Sequence, residues 1–143
     1  GAAAFGTALW AAQTYDPALW RAAEAIAHHA TGHGAAESLF RGVGAGWLIA
    51  ALVWTMSTTE RGHLALIVLF TYVIALAGFT HVVAGTVEAT AVVLAGHMGP
   101  WAALTGSVLP TLAGNILGGT VLFTLLAWAQ IRAELHRRRT GEG

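Results

Sequence analysis

The chain has 143 residues, of which 56% are hydrophobic and only 10% charged, with a mean hydropathy of +0.64, whereas about a quarter of a soluble domain is charged. That balance argues against a soluble globular domain, and a formal net charge of zero lacks the basic footprint of a nucleic-acid binder. With no cysteine there is no disulfide framework, no thiolate chemistry and no Cys-based metal site.

The charges are unevenly spread: residues 42–131 contain only Glu60, Arg61 and Glu88, so this stretch reads as membrane. A hydrocarbon core of roughly 30 Å needs about 20 helical residues, and uncharged runs of that kind define the spans in chain order. The first, residues 1–12, is partial; it opens without Met inside an apolar stretch and has no signal-peptide pattern, so the chain reads as the C-terminal part of a longer one. Residues 13–36 hold Asp16, Pro17, Arg21, Glu24, His28, His29 and His33, with apolar Leu19, Ala23 and Ile26, the pattern of an amphipathic helix at the outer interface. The second span is 39–56, with Arg41 near enough to its end to snorkel to water. After the polar link 57–62, the third span runs from 63 to 96 and the fourth from 110 to 130, with Pro100 bending the link between them. Arg61, Arg132 and the basic run Arg137-Arg138-Arg139 lie on one side and Arg21 and Arg41 on the other, so the C-terminus is expected in the cytoplasm.

The third span carries the most information. As one helix its 34 residues would reach about 50 Å at ~1.5 Å per residue, too long for ordinary tilt, so it must break. Gly78-Phe79-Thr80-His81-Val82-Val83-Ala84-Gly85 is the expected place. Irregular backbone at membrane depth is tolerated only inside protein or along a water-filled cavity, and an ionisable group there is a functional candidate. His81 is that group; the alternative is a core histidine bonded to a neighbouring helix. Glu88 follows seven residues later, on the same face if the segment is helical, or else a solvated residue at the outer mouth.

Gly42 with Gly46, and Gly114 with Gly118, stand at GxxxG spacing and are expected to form close helix contacts. Asn115 lies in an apolar segment, where an uncompensated amide is costly. It either joins helices or faces a pore.

Two motifs carry a family resemblance. Gly78-Phe79-Thr80-His81 resembles the Gly-Phe-Glu-His at the break of the fifth helix of formate/nitrite transporters, and Pro110-Thr-Leu-Ala-Gly-Asn115-Ile-Leu-Gly-Gly119 resembles the start of their sixth helix. Arg41 to Trp54 is similar to the fourth helix and Gly1 to Trp10 to the end of the third. The resemblance implies an all-α integral membrane fold, an aquaporin-like inverted-repeat helical bundle of which this chain is the C-terminal half, assembled as a homopentamer with one pore per protomer, its subunits expected to join through small-residue faces including Gly42/Gly46 or Gly114/Gly118. It further implies His81 as the ionisable side chain at the pore centre, Asn115 beside it, and Ile49 and Ile74 at constrictions. Thr80 replaces the family's Glu, and Gly85 and Gly46 stand where many members have Asn, which marks a less typical branch.

The expected substrates are therefore small inorganic or short organic monovalent anions such as formate or nitrite, with protons exchanged at the histidine. The expected pathway residues are His81, Thr80, Phe79, Asn115, Gly85, Ile49, Ile74 and Glu88, in the inner membrane and without enzyme activity, cofactor or metal. A structural membrane subunit without transport is the alternative. A di-haem cytochrome would need paired histidines on facing helices, but His81 and His97 lie on one segment; an intramembrane hydrolase would need a nucleophile beside a base, and no such arrangement occurs. His29 and His33, at i, i+4, could hold a metal only if the helix continued past Gly32, and are read instead as loop residues that attract anions.

Overall fold

In the computed structural model the chain is all-helical, with no strand among the described residues. The structure describes residues 1–140, and the side chains of these except Ala30 and residues 133–140, so the side chains of the Arg137 to Arg139 run lie outside the described residues. α1 (Ala2–Ala11) passes through a 3-10 turn into α2 (Pro17–Thr31), followed by α3 (Ala35–Thr58), α4 (His63–Leu76) and α5 (Val82–Leu94). The last helix is built in pieces. They are α6 (Pro100–Ala103), a π segment (Leu104–Val108), α7 (Leu109–Ile116), a second π segment (Leu117–Leu122) and α8 (Phe123–Thr140).

Local chemistry explains most of these boundaries. Asp16 caps α2 by accepting the N–H of Ala18 and Leu19 at 3.0 Å each, and Pro17 occupies the first helical position, where its missing N–H is harmless. Pro100 does the same for the last helix, which begins about ten residues before the expected fourth span because this proline starts a helix and does not merely bend a link. Pro110 would clash with the carbonyl four residues back in a regular helix; that carbonyl belongs to Gly106, inside the first π segment, where the wider turn accommodates it.

Two helices are long and apolar enough to cross a membrane, Ala35–Thr58 and Pro100–Arg132. They pack on each other through glycine. A Cβ on Gly46 would collide with the Asn115 backbone, one on Gly114 with the Leu39 carbonyl, and one on Gly118 with the Val43 carbonyl. Both GxxxG pairs are thus used within the chain, against the expectation that they join subunits: each glycine faces the partner helix's backbone, leaving no groove for a second copy.

A second packing centre joins α1, α2 and α5. Trp20 and Ala27 of α2, one heptad apart, bury against Ala91 and Val92 of α5, with Leu9, Trp10, Ala95 and Met98 around them. Leu19 and Ile26 lie on another face of α2 and are exposed, as the lipid-facing side of an interfacial helix would be. The Trp20/Ala27 seam is a second face, buried because α5 lies alongside to receive it.

Candidate functional site

Between α4 and α5 the helix is interrupted. Gly78 takes φ +64, its N–H bonds the Ala75 carbonyl at 3.1 Å, and the Phe79 N–H bonds the Ile74 carbonyl at 3.0 Å. This is a Schellman motif, and it stops α4 at a defined residue. Phe79, Thr80 and His81 follow without helical structure, and His81, extended at φ −105 and ψ 129, is the N-cap of α5.

The freed backbone groups find partners on two neighbouring helices. Arg41 Nη1 donates to the Gly78 carbonyl at 2.6 Å, while its Nε and Nη2 hold Glu37 Oε1 at 2.8 and 2.7 Å, and His33 Nδ1 lies 3.2 Å from the same oxygen. Thr80 Oγ1 donates to the Ser38 carbonyl at 3.0 Å and stands 3.4 Å from Thr111 Oγ1. Asn115 does the rest. Its Oδ1 accepts the Val82 N–H at 3.2 Å, and its Nδ2 donates to the carbonyls of Thr80 and Gly42 at 3.0 Å each. Both amide N–H groups are therefore committed within the protein, and of the two roles open to Asn115, joining helices is the one its contacts fulfil.

Two cavities meet at the break. One of about 450 Å³ is bounded by Arg41, Ile49, Ile74, Phe79, Thr80, His81 and Glu88, with His29 of α2 and His33 of the turn after it also on its wall. The other, about 320 Å³, is bounded by Gly46, Ile49, Asn115, Ile116 and His81 among others. Only His81 and Ile49 line both. The Phe79 ring lies over Gly44, where a Cβ would come within 2.6 Å of it.

Seven of the eight expected residues thus border these cavities. Gly85 borders neither: it lies in the first turn of α5, where a Cβ would meet open space, because the break closes at His81 and not at the second glycine. Sequence reasoning passed over Arg41 and Ser38 as site residues. Arg41 was legible only as a snorkelling cation, since its partner, Gly78, is 37 residues away. Ser38 Oγ is buried with no partner among the described residues, and its position facing the break has no signature in sequence.

A helical bundle with two apolar helices of membrane-crossing length, and a third helix opened around a histidine, is consistent with a membrane protein of transporter type. The particular family follows from comparison. The formate/nitrite transporter model matches residues 1–129, and the chain belongs to that family. It is 41% identical over 97 residues to the inner membrane protein YfdC of Escherichia coli (strain K12), a match covering 68% of this chain and 31% of that protein. The chain thus spans less than a third of the length of this relative. No solved structure matches it significantly.

Proposed function

We propose that the chain forms the C-terminal half of a membrane channel for small monovalent anions of weak acids, such as formate or nitrite, with His81 at its centre. One observation carries this reading. His81 is the only ionisable residue shared by the two cavities, on non-helical backbone whose neighbouring Gly78 and Thr80 carbonyls and Val82 N–H are bonded to α3 and α7 side chains. A bare anion in an apolar passage is prohibitively costly, and an imidazole can donate a hydrogen bond or a proton to it near neutral pH. Ile49 and Ile74 beside it would strip water; Glu88 would stand at the outer mouth. Asn115, Thr80 and Phe79 hold the shape of the break.

In this reading the spans at 1–12, 39–56, 63–96 and 110–130 and the interfacial segment 13–36 make up half of an aquaporin-like inverted repeat, five copies assemble around separate pores, and the C-terminus is cytoplasmic. An inner-membrane location accords with the similarity to YfdC, an inner membrane protein. Arg41, already paired with Glu37, and Glu88 are the charged side chains on the wall of the larger cavity and the smaller has none among the described residues, so the path compensates poorly for the desolvation of multivalent ions. Radiolabelled formate should therefore enter proteoliposomes carrying the full-length protein faster than sulfate does, and equal fluxes would overturn the proposal.

A further inference from the structure

The side of α2 turned away from the cavity carries a separate cluster. By helical spacing Ile26 and His29 share one face of α2, with His33 beyond the helix after Gly32, and Glu24 and His28, four residues apart, lie on the opposite one. His97 reaches the same place from the turn between α5 and α6. Its Nε2 lies 2.6 Å from Glu24 Oε1, and its ring meets that of His28 edge to face with centroids 4.7 Å apart. One ligand atom from each of the three residues lies within 4.8 Å of the others.

We propose that Glu24, His28 and His97 bind a divalent transition-metal ion of the zinc type, tying α2 to the turn between α5 and α6. Zinc takes imidazole nitrogen and carboxylate oxygen at about 2.0–2.2 Å, which sets tetrahedral neighbours roughly 3.3 Å apart, so small side-chain rotations bring the three donors into place. Two imidazoles and a carboxylate favour zinc, nickel or copper over magnesium and calcium, which prefer all-oxygen sites. Three ligands also leave a fourth position for water. The backbone is already held: Gly96 at φ +80 closes α5 with the His97 N–H on the Val92 carbonyl at 3.1 Å, and Pro100 starts the next helix three residues on. Directly behind the cluster, Trp20 and Ala27 are buried against Ala91 and Val92, so donors from two elements are presented by a packed base. Glu24 and His97 remain partly exposed, at 24% and 47%, which leaves an ion a way in.

The test uses tag-free full-length protein in detergent, stripped with chelator and titrated calorimetrically with zinc chloride. One zinc per protomer is expected, unaffected by excess magnesium, together with a zinc-induced rise in melting temperature. His97→Ala and His28→Ala should each weaken binding tenfold or more and abolish the rise, and Glu24→Gln, which retains the shape and a hydrogen bond to His97, should weaken it without lowering the zinc-free melting temperature. The double variant His29→Ala/His33→Ala should bind as the parent does. Zinc affinity that is unchanged in Glu24→Gln and His97→Ala, or that disappears with His29 and His33, would overturn the assignment.

Discussion

Asn115 commits its whole side chain to holding three pieces of backbone that a broken helix leaves open: the Val82 N–H, the Thr80 carbonyl and the Gly42 carbonyl. Hydrogen bonds of this kind contribute about 0.6–1.5 kcal/mol each. Asn115→Leu, close in volume but without polar atoms, should destabilise the folded protein by about 2–4 kcal/mol, measured by unfolding in mixed micelles. A loss under about 1 kcal/mol would mean that water replaces the amide, and hence that the break is wetter than its contacts imply. His81 has no comparable bonding role, because its side chain does not cap α5. His81→Asn retains an N–H donor and removes the titratable ring. On the proposed function, formate flux should persist while its rise on acidification is lost; an unchanged flux–pH profile between pH 5 and 8 would make His81 a structural residue.

At the scale of the element, the two glycines that bracket the break in sequence are not equivalent. Gly78 sits at φ +64, and a Cβ there would come within 2.7 Å of Arg41 Nη1. Gly78→Ala should therefore cost about 1–2 kcal/mol in backbone strain and displace the Arg41 guanidinium from the carbonyl it holds. Gly85 is helical with open space beside it, so Gly85→Ala should raise stability by about 0.5–1 kcal/mol. Melting temperatures of the two variants, moving in opposite directions, check both.

The same contrast shows what sequence could and could not reveal. That the third span must break was legible from its length, and the stop at Gly78 from the residue type, because both are local. The restart at Val82 was not, since the group that caps it is Asn115, 33 residues away. Likewise the Trp20/Ala27 face of α2 is a buried seam only because α5 lies against it, and nothing in the spacing of Glu24, His28 and His97 announced that the bend at Gly96 would bring the third to the first two. Periodicity reads one helix at a time. Which helix lies opposite is a tertiary fact.

For the whole molecule, the pentameric assembly proposed above raises the question of which surface joins subunits. The GxxxG pairs were the natural candidates, but Gly42, Gly46, Gly114 and Gly118 all face backbone of the same chain. What remains outward is broadly apolar: Leu64, Val68, Leu69 and Tyr72 of α4, and Leu112 and Leu125 of the last helix, are all exposed. Lipid tails satisfy such faces as well as protein does, so association must draw on shape and packing between larger side chains. The two kinds of substitution then separate. Gly114→Leu drives a side chain into the Leu39 carbonyl and the Val43 N–H, and should abolish the folded protein altogether, with no intermediate yield of folded monomer. Trp or Ala substitutions on the outward faces of α4 and the last helix should instead leave each protomer folded and alter only the assembly. Native mass spectrometry of full-length protein in mild detergent should show pentamers for the parent and smaller folded species for at least one outward-face variant. Folded monomers from Gly114→Leu would show that the glycine seam joins subunits after all, and that α3 and α7 can part without unfolding the chain.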